Sequence, residues 1–243
     1  MDQNLTGQKA LVTGGASGYG KGIAAALRGR GADVWISDLD EQALAAAASE
    51  LGVHALRADA GSSSDWDSLI AAATADSPSI DILVNNVGAG VRVAPLDEWS
   101  DEDIRKAIDL NLLSTILGCA RVAGLMKREK RGTIVNVSSV CEHHAWPGYA
   151  VYSAAKAGVG QLSKCLYAEL RESGVRVTNL VPSWGATNWS PAAGLPRRAN
   201  DENAKCIQPE EMGEVVANIC SLPSHLEIQE LILWPLIQEV VPL

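Results

Sequence analysis

Short runs of β-branched and aliphatic residues alternate with longer stretches of helical periodicity, and this alternation constrains the fold more than any other feature. The short runs span residues 10–13, 33–37, 53–56, 80–85, 133–137, 175–181 and 230–234. Several are apolar nearly throughout, as strands buried on both faces of a sheet are. Helices of crossover length between such strands imply a parallel sheet covered on both sides. The pattern predicts a single doubly wound α/β domain over residues 1–243, with its ligand at the carboxyl ends of the strands.

Two stretches between the runs show helical spacing most clearly. Residues at intervals of four and three lie on one helical face at Ile104, Ile108, Leu112 and Thr115, and again at Val159, Leu162, Leu166 and Leu170. Gly174 follows the second stretch and predicts the end of its helix, because glycine readily adopts the left-handed conformation of a helix C-cap.

Charge and cysteine content exclude several classes of protein. The chain has 29 acidic and 20 basic residues, a net charge of −9, which disfavours binding to nucleic acids or anionic membranes. No apolar run approaches the ~20 residues of a membrane span, and residues 1–7 are polar, unlike a signal peptide. Five cysteines form no CxxC pair. Because an odd number of thiols fits a reducing compartment, we expect a cytoplasmic protein.

A glycine-rich turn follows the first predicted strand and opens a helix predicted over residues 21–30. Gly14, Gly18 and Gly20 allow the backbone to turn tightly and to approach a pyrophosphate. The helix N-terminus would then offer free N–H groups to the phosphates. The placement between strand and helix predicts a dinucleotide site; a turn without a ligand is the alternative.

Asp38 ends the second predicted strand, 18 residues after Gly20. An acid at about this distance hydrogen-bonds the ribose 2′-hydroxyl of a dinucleotide and repels a 2′-phosphate. No Arg or Lys lies within two residues of it. The sequence therefore favours NAD over NADP, unless Asp38 caps the next helix, for which Asp40 competes.

Tyr152 and Lys156 stand at i and i+4, on one face of a helix. The predicted strand 133–137 delivers Ser138 and Ser139, and Asn111 is polar within a largely apolar helix. A free tyrosine titrates near 10, and an ammonium about 4 Å away in an effective dielectric of about 20 supplies about 4 kcal/mol. That is enough to lower the phenol pKa towards 7–8, so the pair predicts a tyrosine acid/base.

Together these motifs resemble the classical short-chain dehydrogenase/reductase family, from Lys9 to about Leu222. The resemblance is carried by the glycine turn, residues 85–88, Asn111, Ser139, Tyr152 with Lys156, and residues 182–187. It implies a Rossmann-like, seven-stranded parallel sheet with helices on both faces. It also implies an enzyme that moves hydride between a nicotinamide and an alcohol or carbonyl.

The resemblance assigns roles residue by residue. Tyr152 would be the acid/base, Ser139 would bond the substrate oxygen, Lys156 would hold the nicotinamide ribose, and Asn111 would keep a water in a proton relay. Asp59 and Ala60 would face the adenine, and Thr187 with Gly185 would hold the carboxamide. The implied cofactor contacts are Gly14, Ser17, Gly18, Tyr19, Gly20, Asp38, Leu39, Asp59, Ala60, Asn86, Gly88, Tyr152, Lys156, Pro182, Gly185 and Thr187.

The substrate pocket is expected between the end of the fifth strand and a substrate loop at about residues 188–210. Its candidate residues are Cys141, His144, Trp146, Tyr149, Trp184 and Trp189, although the tryptophans equally suit packing. Trp35, Trp66 and Trp99 are interpreted as packing or surface residues. No metal site is predicted, because His143 and His144 are adjacent and no third ligand is evident.

The favoured function is an NAD-dependent oxidoreductase that interconverts a small, largely apolar secondary alcohol and its ketone. The alternatives are a 3-oxoacyl thioester reductase and a non-catalytic nucleotide-binding regulator. An apolar C-terminal tail, residues 235–243, predicts a homo-oligomer, a tetramer or else a dimer. The tail would lie on a neighbouring subunit, or alternatively fold back over the last helix near residues 215–222.

Overall fold

Seven parallel strands form one sheet in the computed structural model, which describes residues 4–195 and 204–239. The strands are β1 (Lys9–Thr13), β2 (Asp33–Asp38), β3 (His54–Arg57), β4 (Ile82–Asn85), β5 (Gly132–Val137), β6 (Val175–Pro182) and β7 (Glu230–Leu233). They lie in the order β3-β2-β1-β4-β5-β6-β7, and every neighbouring pair is parallel. The predicted doubly wound, seven-stranded α/β fold is confirmed, with strand ends within two residues of the predicted runs.

Helices cover both faces of the sheet. They are α1 (Gly18–Gly29), α2 (Glu41–Leu51), α3 (Ser63–Ala73), α4 (Asp101–Ile108), α5 (Ser114–Glu129), α6 (Ala150–Leu170), α7 (Trp189–Ala192) and α8 (Pro209–Cys220). Apolar residues of α1, α2 and α8 pack in one core, and those of α3, α5 and α6 pack in a second core on the opposite face. β1 and β4 are buried throughout between the two cores. This burial explains why their sequences are continuously apolar.

The helix that carries Asn111 is interrupted by a wide turn. α4 ends at Ile108, a π-helical turn spans Asp109–Leu113, and α5 continues from Ser114. Such single π turns occur frequently at functional sites. By length and composition alone, the helical stretch Asp101–Glu129, which includes the π turn, could cross a membrane. In this fold the buried face of α5 packs against the sheet, in the second core.

The C-terminal tail, described as far as residue 239, contacts a loop of its own chain that neither expectation named. Gln238 accepts hydrogen bonds from the Ser183 hydroxyl and from the Trp184 backbone N–H, the latter at 3.0 Å. Gln238 therefore ties the tail to the loop after β6 of its own chain. Residues 240–243, and residues 196–203 of the predicted substrate loop, lie outside the described part of the chain.

Candidate active site

The predicted site residues converge at the carboxyl edge of the sheet, because the strands that precede them are parallel. The first two groups are Gly14, Ser17, Gly18, Tyr19 and Gly20 after β1, and Asp38 and Leu39 at the end of β2. Asp59 and Ala60 follow β3, Asn86 and Gly88 follow β4, Ser139 and Cys141 follow β5, and Pro182, Trp184, Gly185 and Thr187 end or follow β6. Tyr152 and Lys156 stand on α6. The topology thus places residues from distant parts of the sequence at one edge.

Close backbone packing explains the glycines of the first turn. A Cβ at position 20 would collide with the Gly14 carbonyl oxygen, so only glycine fits there. Gly14 itself has φ +65°, and a Cβ on it would stand 2.9 Å from Nδ2 of Asn86. That amide donates to the carbonyl oxygens of Thr13 (3.0 Å) and Gly14 (3.2 Å) and fixes the turn on the end of β4.

The N-terminus of α1 keeps its capacity to bind an anion. Ser17 is the N-cap, its side chain makes no capping hydrogen bond, and the first turn contains no acidic residue. The N–H groups and the positive end of the helix dipole are therefore not neutralised by the protein itself. Together with the glycine cradle, this end of α1 fits the pyrophosphate of a dinucleotide. The helix begins three residues earlier than predicted, because the glycines form its first turn.

Asp38 is oriented by the glycine-rich turn. Its carboxylate accepts hydrogen bonds from the backbone N–H groups of Ala16 (3.2 Å) and Leu39 (2.8 Å). Asp40 caps α2 instead, accepting from Ala43 N–H at 3.0 Å. The helix-cap alternative for Asp38 is therefore wrong.

Arg57 is a neighbour of Asp38 that the sequence did not reveal. The two residues are register partners on β2 and β3, 19 positions apart in the chain. The Arg57 side chain is half exposed, and its Nε lies 3.9 Å from the carboxylate of Glu41. A cation thus lies close to the Asp38 strand end, although a carboxylate partly compensates its charge.

The loop after β3 is held by its own hydrogen bonds. Asp59 accepts from Gly61 N–H at 2.8 Å, and the buried Trp66 indole donates to the Ala60 carbonyl oxygen at 2.8 Å. Trp66 is therefore a packing residue, as interpreted. It also positions the predicted adenine contact at Ala60.

Four polar side chains form the candidate catalytic group, namely Asn111, Ser139, Tyr152 and Lys156. The Lys156 ammonium donates to the Val137 carbonyl oxygen at 2.9 Å and lies 5.9 Å from the centre of the Tyr152 ring. Oδ1 of Asn111 accepts from Ala89 N–H at 3.2 Å. All four side chains are buried.

Gly88 lies where the lysine and the asparagine meet. A Cβ on this residue would stand 3.0 Å from the Lys156 ammonium and 3.1 Å from Oδ1 of Asn111. Only a glycine leaves this space open between the two polar groups. The π turn directs Asn111 into it, with Nδ2 donating to the Ala107 carbonyl oxygen at 3.1 Å.

Burial dominates the protonation of Tyr152 and Lys156, the candidate catalytic pair. It raises the pKa of the Tyr152 phenol above its usual 10, and the Cys141 thiol adds to the rise. The Ser139 hydroxyl and the Trp189 indole act on the phenol pKa in the opposite direction. Burial also lowers the pKa of Lys156 to about 8, which leaves the ammonium mostly charged at pH 7. The expected lowering of the phenol pKa towards 7–8 is therefore wrong for the free protein, where burial raises it.

Aromatic side chains form a continuous row that ends at Tyr152. Its members, which we call the aromatic wall, are Trp234, His144, Trp146, Tyr149, Trp189 and Tyr152. The successive ring centroids are 5.5, 5.8, 6.4, 6.1 and 5.4 Å apart. Four of the predicted substrate residues are thus brought together. Trp234 was missed, because it reads as the end of the last strand.

The other two predicted substrate residues, Cys141 and Trp184, follow β5 and β6. The Cys141 N–H donates to the Ser139 hydroxyl at 3.2 Å. Trp184 is 37% exposed, and its carbonyl oxygen accepts from Ile207 N–H at 3.0 Å. It therefore ties the loop after β6 to the segment that leads into α8.

One group among the described residues could ligate a metal ion. The imidazole of His143 and the carboxylates of Glu142 and Glu230 lie within 4.8 Å of one another. The amide of the buried Asn179 already donates to both carboxylates, at 3.0 and 3.2 Å. His143 therefore faces these carboxylates and does not act as a pair with His144.

A doubly wound parallel sheet with a glycine-rich first turn defines a dinucleotide-binding protein. The family model of the short chain dehydrogenases matches residues 8–194 of this chain. The chain therefore belongs to the short-chain dehydrogenase family and is an oxidoreductase of the kind that binds a nicotinamide dinucleotide.

Curated relatives with several activities match most of the chain. A 3-beta-hydroxysteroid dehydrogenase of Comamonas testosteroni is 34% identical over 206 residues, 83% of this chain and 80% of the relative. A 3-oxoacyl-[acyl-carrier-protein] reductase of Synechocystis is 34% identical over 227 residues, 90% and 92% of the two chains. Among solved structures, serine dehydrogenase in its closed form with NADP⁺ matches with a TM-score of 0.89 at 28% identity, covering 97% of this chain and 98% of that one.

Proposed function

We propose that the protein is an NAD-dependent oxidoreductase that interconverts a small, largely apolar secondary alcohol and its ketone. The observation that carries the proposal is the convergence of Ser139, Tyr152, Lys156 and Asn111 beside the glycine cradle. Each is buried, and three elements place them: the π turn holds Asn111, the end of β5 leads to Ser139, and α6 holds Tyr152 and Lys156. Such a group suits proton transfer at an oxygen atom, and a bound nicotinamide supplies or accepts the hydride.

The side chains divide the proton chemistry among them. Ser139 donates a hydrogen bond to the substrate oxygen, and Tyr152 takes or gives the hydroxyl proton. Lys156 brings a positive charge that stabilises the phenolate, and it holds the nicotinamide ribose. Asn111 faces the lysine across Gly88 and holds the water through which the proton reaches solvent.

The preference for NAD follows from Asp38. Its carboxylate, held by the Ala16 and Leu39 N–H groups, accepts the ribose hydroxyls and repels a 2′-phosphate. Arg57 would oppose this preference, because its guanidinium could bind a 2′-phosphate. The Glu41 carboxylate, 3.9 Å from Arg57 Nε, partly compensates that charge. Serine dehydrogenase, a structural neighbour, was solved with NADP⁺, so the cofactor must be tested directly.

An apolar substrate suits the aromatic wall, because ring faces bury aliphatic carbon favourably. The second candidate is a 3-oxoacyl thioester reductase, which the Synechocystis relative favours. A net charge of −9 opposes the docking of an acidic carrier protein. A non-catalytic regulator is disfavoured, since all four catalytic side chains are present.

We also propose a single domain over residues 1–243, with residues 188–210 as the substrate loop, assembled as a two-fold symmetric tetramer or else a dimer. The exposed apolar side chains of Ile116, Ile232 and Leu236 supply contact surface. All five cysteines are free thiols, which suits a reducing, cytoplasmic compartment.

A spectrophotometric screen tests the function. NADH oxidation and NAD⁺ reduction are followed at 340 nm with cyclohexanone and cyclohexanol, 2-butanone and 2-butanol, a 3β-hydroxysteroid, a polyol and an acetoacetyl thioester. We expect turnover with the apolar alcohol–ketone pairs. Turnover with the thioester alone would favour the second candidate, and binding of NADH without any turnover would favour the regulator.

A further inference from the structure

Trp189 carries a buried donor that the proposed mechanism leaves without a role. Its indole nitrogen Nε1 is buried and meets no acceptor at hydrogen-bond geometry among the described residues. Buried polar groups are nearly always hydrogen-bonded, and an unpartnered donor is destabilising. A buried, unpartnered indole N–H beside a candidate catalytic group therefore points to an acceptor atom that becomes available during the reaction.

Two ring contacts orient the indole. Trp189 stacks almost parallel on Tyr149, with an interplanar angle of 9°, and stands edge-on to Tyr152 at 62° and 5.4 Å. In this position it lowers the pKa of the Tyr152 phenol, as the Ser139 hydroxyl does. The indole nitrogen is therefore close enough to affect the phenol pKa, although it makes no hydrogen bond to the phenol oxygen.

The backbone of Trp189 and of the residues around it is also held by contacts, beginning with the backbone N–H of Trp189. Its N–H donates to Oγ1 of Thr187 at 3.3 Å. On the other side, α7 packs onto the loop after β4, where a Cβ on Gly90 would stand 2.6 Å from the Ala193 nitrogen. The segment that carries the indole is therefore held on one side by Thr187 and on the other by the packing of Ala193 on Gly90.

We propose that the Trp189 indole N–H is a catalytic donor that bonds to the Tyr152 oxygen when that oxygen is a phenolate. The inference rests on the proposed role of Tyr152 as the acid/base. In alcohol oxidation the substrate O–H proton passes to the phenolate while the C–H hydride passes to the bound nicotinamide, and the C=O bond forms. In reduction the same phenol O–H returns its proton to the oxygen. In both directions Ser139 donates to the substrate oxygen, and Trp189 is the protein donor to the anionic Tyr152 oxygen; hydrogen bonds to a charged acceptor are the strong ones.

The pH dependence of kcat/KM tests the proposal in Trp189→Phe, which keeps an aromatic ring but lacks the N–H. We expect the titration limb of Tyr152 to move up by about one pH unit in both reaction directions. For oxidation of the best alcohol of the screen, kcat/KM should fall about tenfold at pH values below the Tyr152 titration and be unchanged at pH values above it. Trp146→Phe is the matched control, because it removes an indole N–H from the same wall with no ring contact to Tyr152 among those described. A lower plateau with an unmoved limb would mean that Trp189 only packs, and would overturn the proposal.

A measurement without turnover separates this inference from the proposed function. ¹H–¹⁵N spectra are recorded on protein labelled with ¹⁵N-tryptophan, with saturating NAD⁺, at a pH above the Tyr152 titration. The Trp189 indole signal is identified by its loss in Trp189→Phe. Tyr152→Phe keeps the ring current, so we expect the Trp189 indole proton alone to move upfield and to exchange faster. An unmoved signal overturns the inference. Unimpaired turnover in Tyr152→Phe would instead overturn the proposed function.

Discussion

At Tyr152, burial and hydrogen bonding act on the same proton in opposite directions. Burial holds the phenol neutral, whereas Ser139 and Trp189 favour the phenolate. In the proposed function, the oxidised nicotinamide would add a positive charge to that of Lys156, which is mostly charged at pH 7. Burial therefore keeps the Tyr152 phenol protonated in the free protein, and the proposed role as a base would need the positive charge of a bound cofactor.

Tyr152→Phe removes this acid/base and is expected to reduce kcat by at least ~10²-fold, the lower range for general acid–base catalysis. The affinity for NADH, measured by fluorescence titration, should be retained. Tyr167→Phe is the matched control, since it changes a half-buried tyrosine of the same helix that packs in the second core. Wild-type turnover in Tyr152→Phe would contradict the assignment.

Lys156 is expected to lower stability, because its charge is buried. Its pKa is lowered to about 8 in the folded protein, whereas an unfolded lysine titrates near 10.4. The unfolded chain therefore binds more protons between these values, and the free energy of unfolding rises with pH across about 8 to 10.

Lys156→Met should accordingly be inactive and yet more stable than the parent at pH 7. The gain is about 2 kcal/mol, after about 1 kcal/mol is lost at the unsatisfied Val137 carbonyl. Urea unfolding at pH 7 and pH 10 measures it. The difference between the two proteins should shrink at pH 10. A variant that is less stable at both pH values would show that the ammonium stabilises the fold.

Asp38 is expected to make kcat/KM with NADH exceed that with NADPH by about tenfold or more, because one desolvated like-charge contact costs more than 1.4 kcal/mol. Asp38→Ser should lower this ratio by relieving the repulsion and leaving Arg57 nearby. Asp40→Ser removes a charge two residues away and keeps a residue able to cap α2, so its ratio should not change. Equal efficiency of the parent with the two cofactors would contradict the prediction.

At the scale of elements, the junction of β1 and α1 is the most tightly constrained part of the site. Gly20 has no room for a side chain against the Gly14 carbonyl, whereas Gly29, near the other end of α1, has open space around its Cα. One helix thus contains a glycine that the packing requires and a glycine that it does not.

Gly20→Ala and Gly29→Ala are therefore a matched pair. Gly20→Ala should lower the free energy of unfolding by about 1–3 kcal/mol through overpacking, and weaken NADH binding as well. Gly29→Ala should be neutral or raise stability by up to about 1 kcal/mol, because alanine has the higher helix propensity. Chemical unfolding and NADH titration measure both effects. Equal losses in the two variants would mean that the turn can relax.

At the scale of the molecule, the tail joins the last strand to the substrate side of the site. Gln238 binds the loop at Ser183 and Trp184, while the neighbouring Leu236 is fully exposed. Substitutions at Gln238 and Leu236 therefore test two different roles of the tail, one in contacts within the chain and one in contacts between chains.

Gln238→Ala should raise KM for the alcohol several-fold and leave the oligomer intact, since it frees the loop after β6. Leu236→Ser should lower the oligomer mass or make it dependent on concentration, because it removes an apolar contact. Light scattering and steady-state kinetics are measured on both variants. Unchanged mass in Leu236→Ser would remove this part of the tail from the interface.

The sequence by itself determined the features that depend on neighbours along the chain. These include the alternation of strands and helices, the glycine turn after Thr13, the spacing of Tyr152 and Lys156, and Ser139 at a strand end. Strand burial and helix periodicity are written locally, so the fold class and most of the site could be predicted from them.

Only the tertiary structure decided which distant residues meet and what their meeting does. Arg57 stands beside Asp38 because β2 and β3 pair, and Trp234 completes the aromatic wall because β7 lies next to β6. The buried indole of Trp189, the π turn at Asn111 and the opposing pKa changes of Tyr152 and Lys156 depend equally on packing. The physical reason is that burial and electrostatic interactions act through space, and their strength depends on distances that no spacing along the chain specifies.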